Sequence, residues 1–257
     1  MAGPIGAFVW YEYMGEDRLA AADFYGRVLG WTVKDAGLPN LPYETASVGD
    51  RMVAGLMEIP DDARAMGVRP CWTGYVWVED VDAALPDFTR AGGRVWKQPA
   101  EFPGIGRFAV VADPYGGGVV LFRGHGDGPP PAPPENAPGF VGWRELHADD
   151  GASALDFYCR LFGWRRTGAL DMGPMGAYEM FETPHGERGG VLTRQPGAPA
   201  SHWLYYFNVE AIDAAAERVR AHGGRIVNSP HQVPSGQWVV QAVDPQGAMF
   251  ALVAPKR

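Results

Sequence analysis

At 257 residues, with 46% hydrophobic and 20% charged residues, the chain has a globular composition and enough length for one large core or two ordinary ones. Its net charge of −8 argues against a nucleic-acid surface, which needs a basic stripe. Because the apolar stretches are only strand-length and the first residues lack a leader pattern, we expect a cytoplasmic protein without a membrane span. Cys71 and Cys159 predict two separate thiols rather than a disulfide.

An internal repeat dominates the sequence. The segment from Trp10 to Trp31 reappears from Trp143 to Trp164, at an offset of 133 residues. The turn sequence Asp113-Pro114-Tyr115-Gly116 matches Asp244-Pro245-Gln246-Gly247 at an offset of 131, so the second copy has lost two residues, most simply in a loop. Residues 124–139 are rich in proline and glycine and predict a semi-extended linker. We therefore expect two domains, residues 1–123 and 140–257.

Each copy itself divides into two similar halves. In the first copy, a strand near Phe8 leads into a helix over 17–29, which Gly30 ends. A second strand, Tyr75-Val76-Trp77, leads into a helix over 81–91, and strands follow over 107–113 and 118–123. The second copy has the same order. The sequence thus predicts two β-α-β-β-β units in each domain.

Two duplicated motifs resemble those of a known family. One is Asp23-Phe24-Tyr25 and Asp156-Phe157-Tyr158, followed by Leu-Gly-Trp and Phe-Gly-Trp, respectively; the other is the Asp-Pro-x-Gly turn. Together they resemble the vicinal oxygen chelate superfamily of glyoxalases, extradiol dioxygenases, and fosfomycin and bleomycin resistance proteins. The sequence is most similar to an actinobacterial subgroup with two such domains and Trp-x-Glu in the first strand, whose members are labelled hydroxylases or antigens. The resemblance implies an α+β fold of two tandem glyoxalase-like domains, each a curved mixed sheet around a cleft.

The sequence departs from this family at the metal site. Catalytic members usually hold a divalent metal in the cleft through His, Gln or Glu side chains. The corresponding positions here are occupied by Trp10, Thr73 and Val120 in the first copy and by Trp143, Leu204 and Ala251 in the second. Indole and hydrocarbon side chains do not ligate divalent metals, and no histidines form a close pair. We therefore expect no metal site and no other cofactor.

Strand alternation predicts which side chains line each cleft. Glu12 and Glu145 fall at equivalent mid-strand positions between large apolar residues, where a carboxyl needs a partner, and they are the candidate catalytic groups. The candidate ligand-binding residues are Trp10, Met14, Tyr75, Trp77 and Phe122 in the first domain, and Trp143, His147, Tyr206 and Asn208 in the second. Core packing of the aromatic residues and a structural hydrogen bond of each glutamate remain open alternatives.

These patterns favour a metal-independent protein that binds a small hydrophobic or aromatic metabolite, for sequestration or resistance or for a tailoring step. The alternative is a lyase, isomerase or hydroxylase-like enzyme that uses Glu12 or Glu145 as its acid–base group. Such an enzyme could also hold a metal through ligands that the sequence pattern does not identify. A third reading is an interaction protein with vestigial clefts. We expect a monomer or homodimer without nucleic-acid or membrane partners.

Overall fold

The computed structural model describes residues 5–39, 41–126, 132–197 and 199–257. Residues 127–131, the middle of the predicted linker, lie outside the described residues. Gly124, its predicted first residue, is the last residue of a strand. Within the described ranges, no helix is long and apolar enough to cross a membrane, and both cysteines are free thiols.

Both repeats have the predicted order of two β-α-β-β-β units. The elements of the first repeat are β1 (Phe8–Gly15), α1 (Arg18–Leu29), β2 (Thr32–Asp35), β3 (Tyr43–Val48), β4 (Arg51–Glu58), α2 (Asp61–Ala65), β5 (Cys71–Trp77), α3 (Val81–Arg90), β6 (Arg94–Phe102), β7 (Gly106–Ala112) and β8 (Gly118–Gly124). Those of the second are β9 (Val141–Ala148), α4 (Gly151–Phe162), β10 (Arg165–Asp171), β11 (Ala177–Glu182), β12 (Arg188–Thr193), β13 (His202–Asn208), α5 (Ile212–Ala221), β14 (Arg225–Gln232), β15 (Trp238–Val243) and β16 (Met249–Ala254). The predicted bounds of α1, α3, β7 and β8 are confirmed to within one residue, whereas β5 begins four residues before the predicted Tyr75.

Local signals explain where the helices begin and end. The Asp17 carboxylate accepts hydrogen bonds from the backbone of Leu19 and Ala20, both at 2.9 Å, and so caps the first turn of α1. Gly30 ends the helix with a φ of 75°, a left-handed conformation that favours glycine. In the second repeat, Asp150 and Gly163 perform the same two roles for α4.

Each repeat forms one eight-stranded mixed sheet. The strand orders are β2-β3-β4-β1-β5-β8-β7-β6 and β10-β11-β12-β9-β13-β16-β15-β14. The pairs β1–β4, β5–β8, β9–β12 and β13–β16 are parallel, and the pairs of β3, β7, β11 and β15 with their neighbours are antiparallel. The predicted α+β class, with two tandem repeats that each form a mixed sheet, is confirmed.

The two missing residues of the second repeat are the net result of two changes. Tyr43 in β3 corresponds to Tyr178 in β11, so the second repeat has gained two residues before this point, where β10 is longer than β2. Gly55 in β4 corresponds to Gly190 in β12, and Cys71 to His202, so it then loses four. The loss falls where the first repeat has the short helix α2. The strand order is the same in both repeats despite these changes.

The chain packs as two compact units, and each unit takes one half of each repeat. Unit A comprises Met1–Val9, Thr73–Ala132 and Trp143–Trp203. Unit B comprises Trp10–Trp72, Pro133–Gly142 and Leu204–Arg257. Each sheet is thus formed by one repeat, whereas each compact unit contains parts of both repeats. The predicted domain boundaries and the independent folding of the repeats stay predictions.

The Asp-Phe-Tyr and Asp-Pro-x-Gly sequences meet inside unit A. The Tyr158 hydroxyl, from the second repeat, donates to the buried Asp113 carboxyl of the first repeat at 3.2 Å. The other oxygen of Asp113 accepts the backbone N–H groups of Tyr115 and Gly117, at 2.8 and 2.9 Å, and so holds the turn. Burial raises the pKa of Asp113, and these donors oppose that shift. The two sequences therefore join the repeats.

Unit B repeats this arrangement with the partners exchanged. The Tyr25 hydroxyl, from the first repeat, donates to Asp244 of the second repeat at 3.1 Å. Asp244 holds its own turn by accepting the backbone N–H groups of Gln246 and Ala248, both at 2.9 Å. The indole of Trp72 donates to Tyr25 at 2.8 Å, so the hydroxyl is fixed from both sides. Each unit thus contains one tyrosine–aspartate connection between the repeats.

The tryptophans of the Leu-Gly-Trp and Phe-Gly-Trp sequences are also duplicated connections. In unit A, the Trp164 indole donates to the Gly6 carbonyl at 2.8 Å, and in unit B the Trp31 indole donates to the Gly139 carbonyl at 2.8 Å. Gly6 and Gly139 both have a positive φ, of 85° and 82°. Each tryptophan therefore fixes a glycine turn that precedes the first strand of the other repeat.

Candidate functional site

Three side chains of unit A form a hydrogen-bonded cluster across β9 and β11. The indole N–H of Trp143 donates to the Tyr178 hydroxyl at 2.7 Å, and this hydroxyl donates to Oε2 of Glu145 at 2.8 Å. Glu145 is buried, with 8% of its surface exposed, whereas Trp143 is partly exposed. A buried carboxyl is stabilised when polar donors surround it. We call these residues the second-repeat cluster.

The same cluster recurs in unit B from the first repeat. The Trp10 indole donates to the Tyr43 hydroxyl at 3.0 Å, and Tyr43 donates to Oε2 of Glu12 at 2.9 Å. Glu12 is 3% exposed, and Trp10 is partly exposed. We call these residues the first-repeat cluster. Tryptophan and glutamate lie on one face of the strand in both repeats, as strand alternation predicts.

A glycine in the intervening strand makes each cluster sterically feasible. Gly55 in β4 pairs with Glu12, and a methyl group at Gly55 would overlap the Tyr43 hydroxyl. Gly190 in β12 pairs with Glu145, and a methyl group there would overlap Tyr178. Because the central strand has no side chain at this point, the tyrosine of the outer strand reaches across it to the glutamate.

Two histidines extend the second-repeat cluster. Nε2 of His147 lies 2.8 Å from Oε1 of Glu145, and the His147 ring stacks on that of His202, with ring centres 4.7 Å apart and planes 9° apart. Nδ1 of His202 lies 2.8 Å from the Ala200 carbonyl oxygen. Burial lowers the pKa of His202, and its electrostatic interactions with His147 and Arg194 act in the same direction. The first-repeat positions of these histidines hold Met14 and Cys71.

The remaining sequence-predicted residues lie on β5, β8 and β13. In unit A, Tyr75 and Phe122 are partly exposed, and their rings pack edge to face with centres 5.7 Å apart. Trp77 is only 2% exposed and lies beneath the Arg123 guanidinium. In unit B, Tyr206 and Asn208 are buried, and Tyr206 accepts a hydrogen bond from Gln241 at 2.9 Å. Their roles in ligand binding stay predictions, and the burial of Trp77, Tyr206 and Asn208 is also what core packing produces.

Sequence reasoning missed Tyr43, Tyr178 and the pairing of His202 with His147. The signal for the tyrosines was present, because Tyr-Glu occurs at the equivalent point of both repeats, and each repeat has a glycine in the following strand. The contact between His147 and His202 had no such signal, since it joins strands 55 residues apart in sequence.

Unit A also contains a groove that the second-repeat cluster does not line. It has a volume of about 870 Å³ and contains residues of α3 and the end of α4, among them Asp80, Asp87, Arg90 and Arg160. None of the residues of the second-repeat cluster lines it. The groove combines apolar residues such as Val78 and Phe88 with charged residues of the helix surface. The clusters occur at equivalent positions of both repeats, and each fixes a buried carboxyl, so they remain the better candidates.

The side chains present do not suit a divalent metal at the positions that the family uses. Trp10 and Trp143 are committed as donors to tyrosines, and Val120, Leu204 and Ala251 are buried hydrocarbon side chains. Across the described ranges, no group of three or more His, Cys, Asp or Glu side chains has a geometry that could hold a metal. These positions therefore supply hydrogen-bond donors and apolar surface rather than metal ligands.

The Glyoxalase/Bleomycin resistance protein/Dioxygenase superfamily model matches residues 7–121 and 141–252. The chain is 31% identical over 250 residues to "Putative glyoxylase CFP32" of Mycobacterium tuberculosis, a match that covers 96% of this chain and 94% of the relative. It is 32% identical over 266 residues to the anthracycline biosynthesis protein DnrV of Streptomyces peucetius, covering 96% and 93%.

Solved structures with low sequence identity share the fold. The Mn(II)-bound glyoxalase from Novosphingobium aromaticivorans matches with a TM-score of 0.64 at 18% identity, over 98% of this chain and 83% of that one. The 2,3-dioxygenase LapB from Pseudomonas sp. KL28 matches with a TM-score of 0.67 at 14% identity, over 99% and 93%. The family model covers both repeats, and the relatives align along nearly their whole length. The chain therefore belongs to the glyoxalase/bleomycin resistance protein/dioxygenase superfamily, as a tandem member with two glyoxalase-like repeats.

Proposed function

We propose that this chain binds a small hydrophobic or aromatic metabolite without the help of a metal. The observation that carries the proposal is the duplicated Trp–Tyr–Glu cluster. Each cluster places a partly exposed indole beside a buried carboxyl, and the same tyrosine hydroxyl fixes both. A flat apolar face next to a fixed polar group is the composition expected of a site for a flat ligand with one polar substituent.

The relatives support a flat aromatic ligand. Two of them, DauV and DnrV, are named anthracycline biosynthesis proteins, and this chain is 32% identical to each along 93% of its relative's length. Anthracyclines are polycyclic aromatic compounds, whose ring faces would stack on an exposed indole. A tailoring or sequestration role for a compound of this chemical class is therefore the form of the proposal that we favour.

Metal independence rests on the donor chemistry of the two clusters. The family positions that would hold a cation have tryptophan, threonine, leucine, valine and alanine, and the tryptophan N–H groups are already donated to tyrosines. An indole N–H is a donor only and offers no lone pair to a cation. Both glutamates instead accept tyrosine O–H groups, which prepares them for polar recognition of an organic ligand.

One observation favours an enzyme as the second candidate. Glu145 and His147 make a carboxyl–imidazole contact of 2.8 Å, the arrangement in which a carboxylate orients a histidine for proton transfer. The first repeat has Met14 in place of His147. A lyase, isomerase or hydroxylase-like reaction would then use the second-repeat cluster, while the first-repeat cluster would only bind.

Fluorescence titration with a hydroxyanthraquinone such as alizarin tests the proposal. We expect Trp10→Phe and Trp143→Phe to weaken binding about three-fold to ten-fold each, because a smaller ring gives less stacking surface. Trp96→Phe is the matched control, since Trp96 is 47% exposed and outside both clusters. Equal affinities in the wild type and both cluster variants, with the fold intact, would exclude the clusters as the binding sites.

Glu145→Gln then separates the binder from the enzyme. Glutamine keeps the size of the side chain but cannot carry the charge of a carboxylate, so a binder should lose affinity, whereas an enzyme should lose turnover. Glu12→Gln makes the same change in the first repeat and serves as the paired variant. Turnover and affinity that match the wild type in both variants would mean that these glutamates are only structural.

A further inference from the structure

The histidine pair of unit A has a feature that the Trp–Tyr–Glu clusters do not explain. His147 and His202 stack face to face beside Glu145, and both belong to the second repeat. The equivalent first-repeat residues, Met14 and Cys71, lack a comparable hydrogen-bond acceptor. The two repeats therefore differ in polar chemistry at one pair of positions, although their Trp–Tyr–Glu clusters are alike.

The hydrogen bonds of His202 fix which of its nitrogens carries the proton. Nδ1 lies 2.8 Å from the Ala200 carbonyl oxygen, which only accepts, so Nδ1 carries the hydrogen and donates. Nε2 is then an acceptor with a lone pair. This atom is buried and has no hydrogen-bond partner in the part of the chain that the structure describes. A buried acceptor without a donor costs free energy until a donor reaches it.

The contact with Glu145 assigns the proton of His147 in the same way. The Glu145 carboxyl accepts from Tyr178 through Oε2, and its Oε1 lies 2.8 Å from Nε2 of His147. Nε2 is therefore the donor in this contact. The two rings stack with planes 9° apart and centres 4.7 Å apart, so the contact with Glu145 holds His147 against the face of His202.

We propose that the accepting Nε2 of His202 receives the hydroxyl hydrogen of a phenol, so that the second repeat selects hydroxylated aromatic ligands. The proposal rests on the proposed function, because it names the substituent that the aromatic ligand carries. Trp143, Glu145 and His147 alternate along one face of β9, so the stacked imidazoles and the indole lie on opposite sides of the same carboxyl. A cationic substituent fits less well, since Arg194 contributes a positive charge near His202.

The charged and titratable groups around the pair keep His202 neutral. Burial lowers its pKa most, and His147 and Arg194 lower it further, whereas the Ala200 carbonyl and Glu145 raise it. Arg194 is itself paired with Asp149. A neutral His202 keeps its lone pair near neutral pH, which is the state that accepts a hydroxyl hydrogen.

Binding of 4-methylphenol and of its methyl ether, 4-methylanisole, tests the proposal. Near neutral pH the phenol keeps its hydroxyl hydrogen, so the two probes differ in the hydrogen that His202 would accept. We expect the wild type to bind the phenol about five-fold to ten-fold more tightly, the gain from one hydrogen bond. His202→Phe should abolish this preference because it keeps a flat ring without an acceptor. His202→Gln, whose amide oxygen accepts, should retain part of it.

His231→Phe is the matched control, because Nδ1 of the exposed His231 contacts a backbone carbonyl in the same way, at 2.9 Å. A phenol preference that persists in His202→Phe, or equal binding of both probes by the wild type, would overturn the proposal and leave the proposed function standing. Failure of the wild type to bind either probe would overturn both. Should His202→Phe not fold, ¹⁵N spectra of the wild-type histidines decide: the signal of the His202 accepting nitrogen should move with the phenol and stay unchanged with the ether.

Discussion

Glu12 and Glu145 occupy the same position in the two repeats but differ in their neighbours. Each accepts a tyrosine hydroxyl at 2.8 to 2.9 Å, so the structural hydrogen bond that the sequence left open is present in both. Glu145 also contacts His147, whose first-repeat equivalent is Met14. Glu145 therefore combines two roles: one oxygen accepts a structural hydrogen bond, and the other orients an imidazole. Separating these roles requires that both stability and binding are measured for each substitution.

The neutral state of His202 predicts how the stability of the fold depends on pH. Burial lowers the pKa of His202 below its ordinary 6.5. Between the two pKa values the unfolded chain binds the proton and the folded chain does not, so the free energy of unfolding should fall as pH decreases below about 6.5. Urea unfolding of the wild type and His202→Gln from pH 7.5 to 5 measures this. The variant should lose less stability over that range, and parallel pH curves would contradict the assignment.

At the scale of elements, the glycine in the strand between tyrosine and glutamate determines whether each cluster forms. Gly190→Ala should displace Tyr178 and remove its hydrogen bond to Glu145, which we expect to cost about 1–3 kcal/mol of unfolding free energy. Gly126→Ala is the matched control, because its added methyl group would meet open space. Denaturant unfolding of both variants checks the prediction. Wild-type stability in Gly190→Ala would show that Tyr178 has room to move.

The elements that the sequence predicted well are those with local signals. Asp17 and Gly30 mark the two ends of α1, and strand alternation places Trp10 and Glu12 on one face. The tyrosine of each cluster was missed because its contact crosses a whole strand, and a periodicity of two within one strand carries no information about the next. The Tyr158–Asp113 bond was missed for a similar reason, since it joins different repeats.

At the scale of the whole molecule, each compact unit contains half of each repeat. The hydrogen bonds of Tyr158 to Asp113 and of Tyr25 to Asp244 join the repeats within their units. We therefore expect the fragments 1–123 and 140–257 to be unstable as separate monomers and to form a one-to-one complex when co-expressed, because each alone lacks half of the buried surface of each unit.

Size-exclusion chromatography with thermal unfolding of the separate and mixed fragments measures this dependence. Self-association of one fragment would also satisfy the packing, since the repeats are similar. Two monomeric fragments that unfold at the temperature of the intact chain would instead support the independent domains that the sequence predicts.

Native mass spectrometry of the protein purified from its own cells tests the central claim most directly, because it reports bound metabolite and bound metal in one spectrum. We predict a bound organic molecule with the mass and ultraviolet absorption of an aromatic compound, lost on denaturation, and less than one divalent metal per chain. The same spectrum of Glu145→Gln should show lower occupancy. Stoichiometric manganese, iron, nickel or zinc in the wild type, without an organic molecule, would contradict metal-independent binding by the Trp–Tyr–Glu clusters.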